Sequence, residues 1–427
     1  MTKFLEVKEY VDIIGGAMEM LGPVKDGDEI RGIVSPGCWG PMITPSIRSG
    51  HEVTRPVEVE GANPGDVIAL YVKKIRVLSN YAASGTSKKI EGRYKEDPTV
   101  NAYCPHCHTE NPETYVDEIG ENAIKCSKCH HPAMPQTISN GYTILFDQKK
   151  KIGLCVNAPI AHNIAKDVLT GKEYLPEGSR QHLATILAKS DIHGVITRVR
   201  PMIGNIGCMP SKPIPSSRNG GDMLHSLNTT NIYGQISKDD LTDAHMDVNS
   251  VCEGSIVLCP VKVKGGGVYF GDVHSIQGNG ELAMHTVDVT SEVHIGIKLI
   301  KNLNLEGPMI IPPPEEIDHR FRPITDEEYQ IANELLRPYK SQIGEQIYPI
   351  QFVGSGKNLN DAIENGIERI SKIINYNLEE VKNRATISGE VEIGRTSGLV
   401  YLTMMLPESK YKELGLHALI HKMYNKR

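Results

Sequence analysis

Side chains suited to metal binding and acid–base catalysis are concentrated in residues 271–281, which read Gly-Asp-Val-His-Ser-Ile-Gln-Gly-Asn-Gly-Glu. Asp272 and His274 are two positions apart at the end of a predicted strand, so both side chains should leave the same face. Glycines in the following loop allow a turn that brings Gln277 and Glu281 back toward that face. Together these groups can bind a divalent metal with an open position, or leave one carboxylate as a general base. The same spacing also fits a capped hairpin with a core histidine.

A second set of residues has the spacing of a zinc site. Cys104 and Cys107 form one C-x-x-C pair, Cys126 and Cys129 form another, and 18 residues separate the pairs. Four thiolates at this spacing can surround one Zn²⁺ tetrahedrally and stabilise a segment too small for its own core. Four nearby histidines are expected to be bystanders, although one could replace a cysteine: His106, His108, His130 and His131. The sequence therefore predicts a structural zinc ribbon.

Residues 85–140, which contain these cysteines, are predicted to be an insertion because a polar segment interrupts a β-rich chain. The segment holds six Lys/Arg and eight Asp/Glu residues, a balance that does not build a phosphate-binding surface. The remaining cysteines are dispersed, and in a reducing compartment they are predicted to be buried small apolar residues. These are Cys38, Cys155, Cys208, Cys252 and Cys259.

A polar, glycine-rich loop provides a third candidate. Residues 201–235 are predicted to be a long loop, within which residues 216–225 read Ser-Ser-Arg-Asn-Gly-Gly-Asp-Met-Leu-His. A loop of that length inside a compact domain is usually functional, but the composition fits a flexible surface loop equally well. Thr286, Asp288 and Thr290 are expected on the solvated face of a strand.

Composition restricts the class of protein. The 427 residues are 39% hydrophobic and 23% charged, with 40 glycines and 26 prolines, which favours a globular chain rich in strands and turns. A net charge of −6 disfavours nucleic acid or an anionic membrane as the main partner. No apolar run approaches the roughly 18 residues of a membrane span, and the N-terminal residues lack the apolar core of a signal peptide. We therefore expect a cytoplasmic protein.

The elements that must position the candidate residues are mostly strands. Strands are predicted at 67–77, 256–263, 267–274, 292–300 and 399–406, and helices at 179–189, 326–337 and 360–375. The strands at 67–77 and 256–263 follow similar turns, so they are predicted to be equivalent strands of a sandwich. The predicted organisation is an N-terminal β-rich part (1–84), the ribbon (85–140), the rest of the β-rich core (141–317) and a C-terminal helical and strand segment (318–427).

The run at 271–281 resembles a hallmark of the acetamidase/formamidase family, G-D-x-H-x-x-Q-G-x-G-E, and every defined position of that motif is present. Further stretches are similar to the family: 53–57, 64–66, 200–207, 220–223 and about 358–406. The resemblance covers most of the chain except roughly residues 85–140. It implies an α+β fold with a β-sandwich-rich core, an added α/β C-terminal segment, and a homodimer or higher even-numbered homo-oligomer.

The resemblance also implies hydrolysis of short linear amides, such as formamide or acetamide, to carboxylate and ammonia with a divalent metal, usually taken as zinc. Such an ion polarises the carbonyl and lowers the pKa of a bound water from about 15.7 toward roughly 7. The predicted metal ligands are Asp272, His274 and Asp222, with His225 in reserve. The predicted catalytic residues are Glu281 as acid/base, with Asp272, His274 and Gln277. The predicted groups that hold the substrate or its oxyanion are Gln277 and the backbone of Gly220 and Gly221.

The chain departs from the family pattern in three places. Asn279 stands where Asp is more usual, the order Asp222-Met-Leu-His225 replaces Asn-Met-Asp, and the ribbon is not part of the pattern. Two alternatives stay open: hydrolysis of another C–N bond, such as a lactam or carbamate, and a non-catalytic scaffold that uses the ribbon to bind a partner. Metal content separates them, because one zinc fits the ribbon alone and two metals fit a ribbon plus an active site.

Overall fold

Mixed β-sheets with few helices make up the fold, in agreement with the predicted α+β class. The computed structural model describes residues 3–38, 50–94, 102–226 and 234–425. Two large sheets contribute to one apolar core of mostly valine and isoleucine side chains. In the strand Glu29–Val34 every second side chain is buried, which is the period of a strand with one face toward a core.

The elements have the following bounds. The strands of the first part of the chain are β1 (Phe4–Val7), β2 (Tyr10–Val11), β3 (Ile13–Ile14), β4 (Leu21–Val24), β5 (Glu29–Val34), β6 (Val53–Thr54), β7 (Val57–Val59), β8 (Val67–Val77), β9 (Tyr81–Lys89), β10 (Thr114–Val116), β11 (Ile124–Cys126) and β12 (Gln136–Phe146). They are followed by β13 (Ile152–Cys155), β14 (Ile196–Arg198), β15 (Met202–Cys208), β16 (Ile214–Pro215), β17 (Ile256–Pro260), β18 (Val268–His274), β19 (Ser291–Ile300), β20 (Met309–Ile311), β21 (Ile347–Ser355), β22 (Gly389–Arg395) and β23 (Leu399–Pro407). The α-helices are α1 (Ala158–Leu169), α2 (Asp326–Leu336), α3 (Leu359–Ile374), α4 (Leu378–Ser388), α5 (Glu408–Glu413) and α6 (His417–Tyr424).

The larger sheet has nine strands in the order β1-β5-β19-β8-β17-β20-β21-β23-β22. Only the β1–β5 pair is parallel among these neighbours. The two strands predicted to be equivalent, β8 and β17, lie side by side in this sheet, with Val257 opposite Leu70. The C-terminal strands β21 to β23 extend the same sheet, so the C-terminal segment is joined to the β-rich part by main-chain hydrogen bonds.

The second large sheet carries the candidate site. Its order is β2-β6-β18-β7-β4, and β15 pairs with β18 from Met202 opposite His274 to Cys208 opposite Val268. All seven residues of β15 and all seven of β18 are buried. The strand that ends in Asp272 and His274 is therefore held on both sides inside the molecule.

The cysteine-containing segment leaves the body through a hairpin base. Strands β9 and β12 pair antiparallel with Gly85 opposite Gly141, close to both predicted boundaries of the insertion. Beyond this base, β10 and β11 form a small two-stranded sheet. The buried side chains of the segment join an apolar cluster with three residues from outside it: Cys38, Ile186 and Leu187. The segment is thus packed against the body.

Two predictions about local structure are wrong. The helix predicted at 179–189 is reduced to a 3₁₀ turn at Ala184–Leu187, and the helix of this region is α1. Ser179 does not cap a helix because its hydroxyl donates to Glu52 Oε2 at 2.5 Å. The predicted loop at 201–235 contains the buried strand β15. The glycines within β15 allow close packing instead of forming turns, since a Cβ at position 207 would lie 2.6 Å from the Cβ of Ala244.

Helix α3 packs on β21 through glycine. A Cβ on Gly354 would lie 2.2 Å from the carbonyl oxygen of Ala362 and 2.9 Å from the amide nitrogen of Gly366. We expect Gly354→Ala to reduce the free energy of unfolding by about 1–3 kcal/mol, because the helix must shift outward. Chemical denaturation would measure it. The matched control is Gly344→Ala, where no atom lies within 4 Å of the added methyl group, and equal stability of the two variants would contradict the packing argument.

Candidate metal centre and active site

Asp272 lies at the centre of a buried cluster of metal-ligating side chains. It lies two residues before the end of β18, has a positive φ of 57° and is fully buried. Neither of its carboxylate oxygens makes a hydrogen bond with a described residue. Three groups of closely spaced ligating atoms include it: with Cys38 and His51, with His245 and Asp247, and with His274 and Asp288. Burying a carboxylate without hydrogen bonds costs free energy, so a positive charge beside Asp272 would stabilise the folded protein.

The orientation of His274 leaves one ring nitrogen facing carboxylates. Its Nδ1 lies 2.7 Å from Gln277 Oε1, and because an amide oxygen only accepts, Nδ1 carries the proton and donates. The other nitrogen, Nε2, lies 3.3 Å from Asp272 Oδ1 and 3.2 Å from Asp288 Oδ1. An imidazole held through one nitrogen, with the other directed at a group of ligands, is the usual arrangement at metal sites.

His245 repeats this arrangement from a loop. Its Nδ1 donates to the carbonyl oxygen of Ser217 at 2.6 Å, and its Nε2 lies 3.1 Å from Asp247 Oδ2 and 3.4 Å from Asp272 Oδ2. His51 approaches from another side, with Nδ1 3.1 Å from Asp272 Oδ2. Burial favours the neutral ring, but the Asp247 carboxylate raises the pKa of His245 to about 9. The carboxylates that face His245 therefore favour a protonated ring there or a cation in place of the proton.

Asp288 completes the cluster from the loop before β19. Its Oδ2 accepts the backbone N–H of Cys38 at 2.8 Å, whereas Oδ1 makes no hydrogen bond with a described residue. Burial raises the pKa of Asp288 to about 6, with His274 acting in the opposite direction. Asp288 is 4% exposed, so the predicted solvated position for this residue is wrong.

Asp222 is engaged by an arginine from the C-terminal hairpin. Arg395, the last residue of β22, donates from Nη2 to Asp222 Oδ1 at 2.9 Å and from Nε to Oδ2 at 3.1 Å. The same guanidinium donates to Asp247 through Nη1. Arg395 thus connects Asp222, predicted as a metal ligand, to the cluster from its outer side. The side chain of His225, the predicted reserve ligand, lies outside the described part of the chain.

The two glycine amides predicted to hold an oxyanion already donate within the protein. Gly220 N–H donates to the carbonyl of Arg218 at 2.8 Å, and Gly221 N–H donates to Asp243 Oδ1 at 2.5 Å. Both polar groups of the Gln277 side chain are likewise engaged within the protein. Oε1 accepts from His274 Nδ1, and Nε2 donates to the carbonyl of Asp247 at 2.6 Å. In this arrangement Gln277 orients His274 and the backbone at Asp247.

Glu281 is buried beside the cluster in the turn that follows β18. The turn is held to the C-terminal hairpin, since Gly280 N–H donates to Ile393 O at 3.0 Å and Thr396 N–H donates to Gly280 O at 2.9 Å. Burial, followed by the charge of Asp247, raises the pKa of Glu281 to about 8. A carboxyl group that titrates near neutral pH is suited to accept and return protons. Asn279 is exposed and contacts Asn249 and Glu392 instead.

The four clustered cysteines come together as their spacing predicts. Cys104 Sγ lies 3.4 Å from Cys129 Sγ, and Cys107 Sγ lies 3.8 Å from Cys126 Sγ. All four sulfur atoms lie within 4.8 Å of one another. Tetrahedral zinc with Zn–S bonds of about 2.3 Å requires sulfur atoms about 3.8 Å apart. The arrangement therefore fits one zinc ion bound by four thiolates.

Sequence patterns do not indicate five residues of the site: His51, His245, Asp247, Asp288 and Arg395. Four of them lie far from the 271–281 run, whereas Asp288 follows it closely but is predicted on a solvated strand face. One signal was available: His245-Met-Asp247 repeats, in reverse order, the two-residue spacing of Asp272-Val-His274. No comparable local pattern marks His51 or Arg395.

The sequence of this chain matches known proteins along most of its length. The model of the acetamidase/formamidase family matches residues 38–240 and 237–411. A Schizosaccharomyces pombe protein that carries a formamidase name is 24% identical, over 62% of this chain and 57% of the relative. A formamidase of Methylophilus methylotrophus is 27% identical, over 29% of this chain and 41% of the relative. The chain therefore spans less than two thirds of the length of either of these relatives.

Solved structures share the fold. An acetamidase from Yersinia enterocolitica has a TM-score of 0.53 at 16% identity, covering 96% of this chain and 92% of its own. An acetamidase from Bacillus halodurans has a TM-score of 0.52 at 14% identity, covering 96% of this chain and 99% of its own. These structures show a shared fold, and the family model covers more than half of the sequence: the chain belongs to the acetamidase/formamidase family.

Proposed function

We propose that this protein hydrolyses short linear amides to carboxylate and ammonia with a divalent metal, zinc by preference, at the Asp272 cluster. The observation that carries the proposal is the convergence of buried imidazole and carboxylate groups whose facing atoms make no hydrogen bonds with described residues: Asp247 Oδ1, Asp272 Oδ1 and Oδ2, His274 Nε2 and Asp288 Oδ1. Family membership and the formamidase names of two relatives support the choice of substrate.

The donor set suits a divalent ion. Its protein ligands would come from the six residues His51, His245, Asp247, Asp272, His274 and Asp288, of which zinc takes three or four. Nitrogen and oxygen donors of this kind bind zinc and similar ions. Space is left beside Asp272 by glycine, since a Cβ at position 204 would lie 2.4 Å from Asp247 Oδ1 and 2.8 Å from Asp272 Oδ2.

The chain's own residues divide the remaining work. When bound, the ion polarises the amide carbonyl and brings the pKa of water close to neutral. Glu281 takes a proton from the attacking water and delivers it to the leaving nitrogen, so that the C–N bond breaks and ammonia departs. Gln277 keeps His274 in one ring orientation. Arg395 donates to the Asp247 carboxylate and holds it in place, and Asp222 in turn accepts from Arg395. The predicted ligand Asp222 therefore has a positioning role in this proposal.

We further propose that the ribbon cysteines hold a structural zinc ion that stabilises the segment between β9 and β12. The sulfur distances support this assignment. None of the nine cysteines, all of which lie in the described residues, forms a disulfide. This suits the reducing cytoplasm, where we expect the protein to act. None of the described helices has the length and apolar character that a membrane span requires. The predicted even-numbered homo-oligomer stays a prediction.

Ammonia release tests the proposed activity directly. We expect zinc-loaded protein to contain two ions per chain and to release ammonia from formamide or acetamide. Dialysis against a strong chelator should abolish turnover, because the carbonyl then loses its polarising ion, and added zinc should restore it. Ammonia is measured by a coupled assay, with a lactam and a carbamate included in the panel.

The panel separates the alternatives. Turnover of only the lactam or carbamate would keep the metal site and replace the substrate class. A folded protein with two ions per chain and no turnover of any substrate would contradict hydrolysis of these amides and point to another C–N substrate or to a binding role built around the ribbon. One ion per chain after zinc loading would contradict the metal site at Asp272.

Gly204→Ala tests the position of the ion. The added methyl group occupies the space between Asp247 and Asp272, so we expect the variant to lose the second zinc equivalent and ammonia release while it keeps the ribbon ion. Elemental analysis per chain measures this loss, and circular dichroism confirms the fold. The matched control is Gly278→Ala in the 271–281 run, where no atom lies within 4 Å of the added group. Two zinc ions per chain in Gly204→Ala would contradict the assigned position.

Glu281→Gln tests the acid/base role. We expect kcat to fall by about 10²–10⁴-fold and the acidic limb of the pH–rate profile to disappear, with zinc content unchanged. The native pKa of about 8 exceeds the ordinary 4.5, so ionisation of Glu281 increasingly favours unfolding as pH rises from 4.5 through about 8. After chelation, the variant should therefore have the higher Tm at pH 8 and an unchanged Tm near pH 4. Wild-type turnover in a folded variant would contradict the assignment.

A further inference from the structure

Cys38 is the one dispersed cysteine that borders the carboxylate cluster among the described residues. Its Sγ lies 3.7 Å from His51 Nε2, and Sγ, the His51 ring and an Asp272 oxygen form a group within 4.8 Å. Its backbone N–H donates to Asp288 Oδ2 at 2.8 Å. The residue is 9% exposed. The thiol is therefore held against the site by its own main chain.

Packing alone does not account for a thiol at this position. Three other dispersed cysteines, Cys155, Cys208 and Cys259, belong to the large apolar core, where a small apolar side chain is useful. Cys38 instead lies between the apolar cluster of the ribbon segment and the carboxylates of the site. A thiol gains little from carboxylates as neighbours unless a cation lies between them.

The second observation is the state of Asp272. Its side chain is 1% exposed, and neither of its oxygens makes a hydrogen bond with a described residue. The oxygen Oδ2 lies 3.1 Å from His51 Nδ1, and the ligating atoms of Cys38, His51 and Asp272 lie within 4.8 Å of one another. Imidazole, carboxylate and thiolate are the three ligand types of biological zinc sites.

We propose that Cys38 is a thiolate ligand of the metal ion at Asp272, on the side of His51. The inference rests on the proposed function, because it concerns the same ion. On binding, the S–H bond breaks, a sulfur–metal bond forms and the proton leaves to solvent. A thiolate favours zinc or cadmium over magnesium, calcium or manganese, whose preferred ligands are oxygen atoms. Cys38 therefore determines which metal the site selects.

The same three residues resemble a Cys-His-Asp arrangement for nucleophilic catalysis. The carboxylates of Asp272 and Asp288 lie beside the thiol and disfavour a free thiolate, which a nucleophilic cysteine requires. A cation held by the same carboxylates would instead stabilise the thiolate as its ligand.

Cadmium NMR tests the ligand, because the cadmium chemical shift moves downfield with each added thiolate. Wild-type protein loaded with cadmium alone should show one four-thiolate signal from the ribbon and one single-thiolate signal. Cys38→Ala and Cys38→Ser should move only the second signal to the region of nitrogen and oxygen ligands. The matched control Cys155→Ala, a buried thiol of the apolar core, should leave both signals in place.

The outcomes are distinguishable. A second signal that is unshifted in both Cys38 variants would overturn the thiolate ligand and leave the metal site intact. A wild-type protein with only the four-thiolate signal would overturn the metal site itself. Unchanged signals with complete loss of ammonia release in Cys38→Ala would favour the nucleophile over the ligand.

Metal affinity gives an independent measurement. Loss of even an outer partner of a ligand lowers metal affinity roughly 10- to 100-fold, so Cys38→Ala should weaken zinc binding at the second site by at least that factor. Manganese binding should change little. Competition with a chromophoric chelator measures both ions, and an equal loss for zinc and manganese would overturn the role of sulfur in selection.

Discussion

Three carboxylates buried in one small region set the main physical constraint on this molecule. Asp247, Asp272 and Asp288 are at most 4% exposed, and an ionised carboxylate inside a protein costs several kcal/mol unless nearby groups compensate it. The fold surrounds them with nitrogen-bearing side chains: three imidazoles and the guanidinium of Arg395. A divalent cation would complete the compensation, and the positions of the ring nitrogens are consistent with that.

Much of the architecture brings this cluster together. Strands β15 and β18 supply Gly204 and Asp272 from adjacent positions of one sheet. The loop between β16 and β17 supplies His245 and Asp247, while β22 at the far edge of the other sheet supplies Arg395. Gly280 and Arg395 are bridged in parallel, so the turn that carries Glu281 is fixed by the C-terminal hairpin. The site therefore depends on contacts between segments more than a hundred residues apart in sequence.

Features that depend on a short stretch of sequence could be predicted. The strands at 67–77 and 267–274, the helix at 360–375 and the spacing of the four cysteines could be predicted because each depends on a short pattern. The partners of the cluster could not be predicted, because His51 reaches Asp272 and Arg395 reaches Asp247 through tertiary contacts with no periodic signal. Asp222 illustrates the difference: its type suits metal ligation, but its neighbour Arg395 is 173 positions away. Ser179 is a similar case: its type suits a helix N-cap, but its hydroxyl donates a hydrogen bond to Glu52, which is distant in sequence.

The β9–β12 ladder has a consequence for the cysteine-containing segment as a separable part of the fold. Gly85 and Gly141 face each other across an antiparallel pair, so a two-residue turn could close the hairpin there without altering the register of either strand. A chain without the ribbon would keep the same sheet but expose Ile186, Leu187 and Cys38 to solvent. Such a shortened homologue would need polar side chains at 186 and 187. The ribbon could thus be removed without changing the order of the strands. Its removal would require surface substitutions at the residues that it now covers.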